Sequence, residues 1–250
     1  MLGLATGIAL LIGLLLGMLG GGGSVLLVPV LLYVLKLEPK TALLTSQLVM
    51  AVTTTVAMTV HALAGRVIWQ TGLVFGLAGM LGAYAGGRVA HYIPARLLLL
   101  GFTFLMVVSA IQMLRSRHPK AELPTKEAGR MQQLTGVLVG LPTGFLGGLL
   151  GAGGGFLVVP ALTIFGGLPI AQAVGTSLLV IAMQSTAGAA GYLGHAHVDL
   201  AVVTSLAVAM GAGSIGGGLL SKRISAASLR RFFAILLLAA AALMLVRNLW

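Results

Sequence analysis

The sequence predicts an all-α polytopic membrane protein built from two copies of one hydrophobic unit. Of its 250 residues, 58% are hydrophobic and only 8% are charged, and the mean hydropathy is +1.09. Charged residues normally make up about a quarter of a soluble domain, so this composition excludes a water-soluble globule. Apolar runs of roughly 17 to 23 residues, at about 1.5 Å per residue, match the hydrocarbon thickness of a bilayer. Such runs recur at 43–63, 67–89, 97–114, 170–193, 200–220 and 232–246.

The apolar runs predict helices, because the strands of a membrane barrel would alternate polar and apolar residues over short segments. No Lys or Arg precedes Lys36, and no polar cleavage region follows the first apolar run. We therefore expect the chain from Met1 onward to belong to the mature fold rather than to a cleavable signal peptide. The absence of cysteine excludes disulfides and cysteine-ligated metals.

The net charge of +11 comes from 15 Lys and Arg residues against 4 Asp and Glu residues. The basic residues lie between the apolar runs or at their ends, which is the pattern of a cytoplasmic face against anionic lipid. We therefore expect membrane lipid, and no nucleic acid, as a partner.

An internal repeat predicts that the chain consists of two copies of one unit. The segment GMLGGGGSVLLVPVL at 17–31 aligns with GLLGAGGGFLVVPAL at 148–162 at an offset of 131 residues, and this offset holds without gaps to the C-terminus. Glycine clusters, a proline and a Thr-Ser pair in one register are not expected by chance. We predict a first transmembrane repeat at 1–114, a charged linker at 115–130 and a second transmembrane repeat at 131–250.

Each repeat is expected to contain a broken or hairpin-like first element followed by three full spans, about eight spans by the usual counting. Four consecutive glycines, Gly20 to Gly23, interrupt the first element. If each unit crossed an even number of times, the basic residues would divide eight to seven between the two sides. If the first element returns to its starting side, they divide ten to five. The clearer bias favours inverted repeats, with the linker cytoplasmic and both termini outside.

The two glycine-rich breaks are the first candidate binding site. Irregular backbone at membrane depth is expected where it lines a cavity, and the N-termini of half-helices bind anions. Close helix packing is the alternative role for such glycines. The predicted substrate-binding positions here are Gly22, Gly23, Ser24, Gly153, Gly154 and Gly155.

Polar residues early in the next span of each repeat extend the candidate site. Their hydroxyl and amide groups could donate to an oxyanion without a buried charge, although a single Ser or Thr commonly bonds its own helix backbone instead. The first set is Thr45, Ser46, Gln47, Thr176 and Ser177. A second matched set lies further along the same helices, at Thr53, Thr54, Thr55, Gln184, Ser185 and Thr186.

Asp199 is the one acidic residue outside the linker and the loop at Glu38. With His195 and His197 it forms HAHVD, whose spacing could suggest a metal or proton relay, but ligands two apart in a loop are weakly specific. We expect a structural or interfacial role there, no metal and no cofactor. The sequence contains no metalloprotease, nucleophile-elbow or P-loop motif, so we do not expect an enzyme.

The duplicated elements resemble the TauE/SafE sulfite exporter family. The resemblance rests on two Gly-rich segments running into V-P, each followed by A-x-x-T-S, at 42–46 and 173–177, and covers essentially the whole chain. It implies eight spans and the export or uptake of sulfite or of an organosulfonate such as sulfoacetate. The family often has an acidic residue after the second span of a unit. Asp199 fits that pattern, whereas the first unit has Ile68 there.

These observations predict a secondary transporter of a small sulfur-containing anion, working by alternating access in a bacterial-type inner membrane. An anion channel or a non-transporting membrane scaffold is the alternative. The sequence leaves open the particular anion, the direction of transport, the coupling ion and whether the protein forms an oligomer. It also leaves open whether Asp199, His195 and His197 take part in proton coupling.

Overall fold

The structure is a computed structural model that describes residues 2–115, 128–151, 153–194, 198–220 and 226–249. The secondary structure in these residues is helical throughout, which confirms the all-α prediction. The helices are α1 (Leu2–Leu19), α2 (Leu27–Tyr33), α3 (Pro39–Leu63), α4 (Trp69–Ala90), α5 (Ala95–Arg115), α6 (Ala128–Leu149), α7 (Gly155–Ile164), α8 (Ile170–Tyr192), α9 (Leu200–Leu220) and α10 (Ala226–Leu249). A 3-10 segment, Gly21–Leu26, lies between α1 and α2.

Within the described residues, six helices are long and apolar enough to cross a membrane: α1, α3, α4, α5, α8 and α9. Shorter apolar stretches lie in the 3-10 segment with α2, in α6 and in α10. The total of about eight spans stays a prediction, as do the repeat boundaries. Most of the charged linker, 116–127, lies outside the described residues.

Glycine and proline set the ends of the elements that surround the centre of the protein. Helix α1 ends before Gly20, whose φ of 72° is a left-handed conformation that favours glycine, and α6 ends before Gly151 at 68°. Proline supplies the first residue of α3, Pro39, and the cap before α8, Pro169. Helices α3 and α8 begin 131 residues apart, as do α4 and α9, and α5 and α10.

The first helix of each half packs mainly against a helix of the other half. On α1, a methyl group added at Gly13 would collide with the carbonyl of Met210 on α9, and one added at Gly17 would collide with that of Ser214. The contacts advance along both helices together, so α1 and α9 run parallel. Gly17 has no side chain to separate the two backbones, which therefore touch.

The same arrangement joins α6 to α4. A methyl group at Gly82 on α4 would collide with the carbonyl of Leu141 on α6, and one at Gly86 with that of Phe145. These contacts also advance together, so α4 and α6 run parallel.

Helices α3 and α8 pack against each other between these two pairs and run antiparallel. Gln47, near the start of α3, lies against Gly188 near the end of α8, whereas Arg66, just past the end of α3, lies against Gly175 near the start of α8. One core cluster of buried residues includes side chains from both halves, among them Leu16, Leu43, Met106, Leu206 and Met244.

Two buried side chains at equivalent positions hydrogen-bond the last turn of α1 and of α6, and we call these two hydrogen bonds the tethers. His61, at the end of α3, donates through Nε2 to the carbonyl oxygen of Gly17 at 3.0 Å. Tyr192, at the end of α8 and 131 residues later, donates through its hydroxyl to the carbonyl oxygen of Leu149 at 2.7 Å. Each bond satisfies a carbonyl that the end of a helix leaves without a partner within the helix. Both interrupted elements are thereby anchored just before their glycine breaks.

The α1 to α9 contact gives a matched test on adjacent residues. Gly217→Ala would place a methyl group against the backbone of Leu14, whereas Gly216→Ala would place one in open space. We expect Gly217→Ala to destabilise the protein by about 1 to 3 kcal/mol through overpacking. Gly216→Ala should be neutral or stabilising by up to about 1 kcal/mol, because alanine favours helix more than glycine does. Thermal unfolding of both variants in one detergent measures this, and equal midpoints would contradict the packing.

The tether on α6 gives a second prediction. Tyr192→Phe keeps the buried ring and removes only the hydroxyl that bonds Leu149. We expect a loss of about 1 kcal/mol of stability, the usual net value of a hydrogen bond. The measurement is the thermal unfolding midpoint against the wild type, with Thr103→Val as a control for removing a buried hydroxyl that bonds its own helix, at Leu99. A loss for Tyr192→Phe no larger than that of the control would show that the tether adds nothing.

Candidate functional site

The two glycine breaks meet at the centre of the protein. The backbone of Gly21 in the 3-10 segment touches the backbone of Gly155 at the start of α7, with no room for a methyl group on either residue. The 3-10 segment packs along α7, and both lie against α8. The two interruptions predicted from the sequence are therefore in direct contact.

The two breaks differ in their local structure. In the first, Gly22, Gly23 and Ser24 lie inside the 3-10 segment, and the α-helix begins only at Leu27. In the second, Gly153 and Gly154 have φ values of 63° and 67°, and Gly154 caps α7, which begins at Gly155. The predicted α-helix start at the break is therefore present in the second half, whereas in the first half a 3-10 turn takes its place.

Several predicted hydroxyls already have structural partners. The hydroxyl of Ser24 donates to the carbonyl oxygen of Gly21 at 2.7 Å, and that of Ser177 donates to Val174 at 2.8 Å. Thr176 Oγ1 accepts the backbone N–H of Ile68 at 3.0 Å, which joins α8 to the start of α4. Thr45, on α3, is buried. In this conformation, the hydrogens of Ser24 and Ser177 are not available to an anion.

A different set of polar groups is fully buried and has no hydrogen-bond partner. On α3 these are the hydroxyls of Ser46 and Thr53 and the Oε1 atom of Gln47. On α8 they are both ends of the Gln184 amide and the hydroxyl of Ser185. All five residues are 0% exposed. Buried polar groups nearly always have a partner, so a concentration of free ones indicates a place for a polar ligand or water.

Gln184 and Ser185 lie against the second glycine break. A Cβ atom placed on Gly153 would be 2.5 Å from Ser185 Oγ, and one placed on Gly154 would be 2.8 Å from Gln184 Oε1. A methyl group on Gly79 of α4 would collide with the nitrogen of the same amide. Because these three residues are glycines, the side chains of Gln184 and Ser185 fit where a methyl group would otherwise lie.

Gln47 reaches the same place from the other half of the chain. Its Nε2 donates to the carbonyl oxygen of Gly147 at 3.0 Å. Gly147 packs on the second break, since a Cβ placed on it would be 2.7 Å from the Cα of Gly154. We call Gln47, Gln184 and Ser185 the central polar cluster.

The central polar cluster is uncharged and lies well inside the helices. Gln184 and Ser185 lie two turns from the end of α8. The antiparallel register of α3 and α8 places Thr53 level with them. No Lys, Arg, Asp or Glu occurs at 41–65, 67–87 or 131–198, which include most of the helices around the cluster. The site can therefore offer hydrogen bonds, but no ion pair from these segments.

The HAHVD segment does not join this cluster as far as it is described. The carboxylate of Asp199 is exposed and accepts the backbone N–H of Ala201 at 2.8 Å, a capping bond at the start of α9. His195 and His197 lie outside the described residues. Among the described residues, no group of His, Asp and Glu is arranged to hold a metal ion.

Three residues that contribute to the site were not predicted from the sequence. Gly79 leaves room for the Gln184 amide, Gly147 packs on the backbone of the second break, and His61 holds the end of α1 while its Nδ1 atom stays unpartnered. Small residues are common throughout membrane helices, so nothing marked these two glycines. His61 and Tyr192 occupy the same position in the 131-residue register, but a histidine and a tyrosine do not look like a matched pair in the sequence.

Six apolar helices of membrane length among the described residues, enclosing buried polar groups, define an integral membrane protein. Residues 5–244 match the sequence profile of the family described as Sulfite exporter TauE/SafE. The chain belongs to the TauE/SafE sulfite exporter family, as the resemblance in its glycine and Thr-Ser elements implied.

Relatives in this family are named as membrane transporters. A "Probable membrane transporter protein" of Xylella fastidiosa is 37% identical over 223 residues, which cover 87% of this chain and 84% of the relative. The "Probable membrane transporter protein YdhB" of Bacillus subtilis is 29% identical, over 79% of this chain and 81% of its own length. A similarly named protein of Methanocaldococcus jannaschii is 28% identical, over 74% and 70% of the two chains. No solved structure matches the chain.

The second glycine break gives a prediction with an internal control. Gly154→Ala and Gly167→Ala both force alanine into a left-handed conformation, at φ values of 67° and 62°. That strain costs each variant about 1 to 2 kcal/mol. A methyl group at Gly154 would also press on Gln184 Oε1 and the carbonyl of Thr143, whereas one at Gly167 would meet open space.

We therefore expect Gly154→Ala to lower the thermal unfolding midpoint more than Gly167→Ala does. Equal losses in the two variants would mean that the space beside Gln184 is not constrained as described.

Proposed function

We propose that this protein is a secondary transporter that carries a small sulfur-containing anion, sulfite or an organosulfonate such as sulfoacetate, by alternating access. The observation that carries the proposal is the central polar cluster, because the Gln184 amide and the Ser185 hydroxyl are buried, unpartnered and next to a glycine break. An oxyanion there would accept hydrogen bonds from the Gln184 amide and the Ser185 hydroxyl. The family description and the names of the relatives support transport as the activity.

Several features support inverted repeats at 1–114 and 131–250. Helices α3 and α8 occupy the same position in the 131-residue register, yet they run antiparallel. Helix α1 runs parallel to α9, and α6 runs parallel to α4. In the 131-residue register α1 corresponds to α6 and α9 corresponds to α4, so the two contacts are equivalent. Transporters with inverted repeats commonly bind their substrate between broken helices near the middle of the membrane.

The directions of the helices also support the proposed orientation. Gly211 and Gly218 of α9 lie against Val56 and Val60 of α3, so α3 runs parallel to α9 and therefore to α1. Two parallel spans require the segment between them to return to the starting side of the membrane. That is the case in which the basic residues divide ten to five, with the linker on the richer side. We therefore place the linker in the cytoplasm and both termini outside the inner membrane of a bacterial-type cell.

Alternating access would require the contact between the two breaks to open. The backbones of Gly21 and Gly155 touch, and the central polar cluster lies beside the second break. Relative movement of the 3-10 segment and α7 would expose the cluster to one side at a time. The tethers at His61 and Tyr192 hold the preceding helix ends, so they limit that movement to the breaks.

Uptake of labelled sulfite and sulfoacetate into proteoliposomes tests the proposal. Gln184→Leu and Ser185→Ala remove hydrogen bonds to a charged ligand, worth about 1.5 to 3 kcal/mol each, so we expect uptake at low substrate to fall about tenfold or more. Thr103→Val, on α5, removes a hydroxyl that bonds its own helix and should leave uptake unchanged. Normal uptake by both cluster variants would reject this site.

The same vesicles separate the proposal from its alternatives. A secondary transporter saturates with substrate and shows counterflow, whereas a channel gives ohmic current. Proteoliposomes that show neither flux nor current with either anion would favour the scaffold.

A further inference from the structure

We infer that the transported anion carries a single negative charge together with a proton-bearing O–H or N–H group, so that sulfite is taken as hydrogen sulfite and not as the dianion. This inference rests on the proposed function and deepens it, because it specifies the chemical form that the central polar cluster accepts. It follows from two independent properties of the cluster: its lack of charge and its unpartnered acceptors.

The lack of charge favours a monoanion. The segments 41–65, 67–87 and 131–198 contain no Lys or Arg, so they provide no cation to offset a buried anion. The cost of removing an ion from water rises with the square of its charge, and an uncompensated buried charge is expensive. Hydrogen bonds from neutral groups can compensate one negative charge far better than two.

The unpartnered acceptors require a donor on the ligand. The carbonyl oxygen of Gly147 can only accept, so the amide orientation of Gln47 is fixed with Nε2 donating to it. The Oε1 atom of Gln47 then remains buried with no donor. Gln184 adds another free Oε1 whichever way its amide is turned.

A fully deprotonated oxyanion has only acceptor atoms. It could use the Nε2 atom of Gln184 and the Ser185 hydroxyl, but it would leave the Oε1 atoms of Gln47 and Gln184 unsatisfied and facing negative charge. A ligand with an O–H or N–H group gives one of them a partner. Sites with buried polar groups discriminate strongly against ligands that leave those groups unpaired.

For sulfite, the inference has a consequence for the proton. Each hydrogen sulfite that crosses carries one negative charge and one proton in the same molecule. The proton moves on the substrate, so it needs no titratable side chain in the cluster.

Two sulfonates that stay ionised at all ordinary pH values provide the first test. Isethionate carries a hydroxyl group, and ethanesulfonate has the same carbon chain without it. We expect isethionate to bind the purified full-length protein in detergent at least tenfold more tightly, measured by calorimetry. The double variant Gln47→Met/Gln184→Met, which removes both free Oε1 atoms, should bring the two affinities within about twofold, and Thr103→Val should leave the preference intact. The thermal unfolding midpoint of each variant checks that it is folded.

Sulfite itself provides the second test. At constant total sulfite, we expect the apparent Kd to rise tenfold per pH unit above the pH at which hydrogen sulfite loses its proton. Among the described side chains, the titratable groups on α8 and on the helices and loop that contact it are Lys40, His61, Arg66, Tyr84, Arg88 and Tyr192. A change in any of them, His61 in particular, would alter the binding of ethanesulfonate or isethionate with pH as well, so a flat profile for these ligands assigns the sulfite effect to the substrate.

The outcomes are distinguishable. Sulfite affinity that stays constant or rises with pH would overturn the inference while leaving the proposed function standing, and so would equal binding of the two sulfonates. If no sulfite, sulfonate or sulfoacetate binds at any pH, the proposed function fails and the inference fails with it.

Discussion

Backbone contact at glycine is the constraint on which the rest of the structure depends. In a membrane, apolar side chains gain little by leaving lipid for one another, so close packing at small residues carries much of the association of helices. Here the packing at Gly13 and Gly17 joins α1 to α9, and the packing at Gly82 joins α4 to α6. Each half buries its first helix against the other half. The antiparallel pair of α3 and α8, which carries the polar groups, is held between these contacts.

The sequence was sufficient for the fold class and the glycine breaks because both depend on local composition. Long apolar runs predict helices in lipid wherever they occur, and consecutive glycines interrupt a helix whatever surrounds them. The choice among polar side chains depends instead on hydrogen-bond partners that only the folded chain provides. Ser24 and Ser177 bond their own backbone, whereas Gln184 and Ser185, which carried less weight in the sequence, have none. The proposed substrate site thereby moves toward α8 and the second break.

The two halves match in their backbone more closely than in their polar chemistry. The position of Gln184 in the second half is occupied by Thr53 in the first, and that of Gln47 by Leu178. Thr54, the counterpart of Ser185, donates to the carbonyl of Met50. The unpartnered groups therefore follow the 131-residue register at Thr53 and Gln184 but not at Gln47 or Ser185, and a ligand at the central polar cluster would lie closer to the second break than to the first.

The packing of each half's first helix against the other half also affects how the protein is assembled. Helix α1 is synthesised first, but α9, the helix whose glycine surface it contacts, emerges near the end of translation. Until then the glycine face of α1 lies against lipid or a temporary neighbour. A stop in synthesis after the first half would leave α1 and α4 each without their main packing partner, so the native arrangement forms only after nearly the whole chain has entered the membrane.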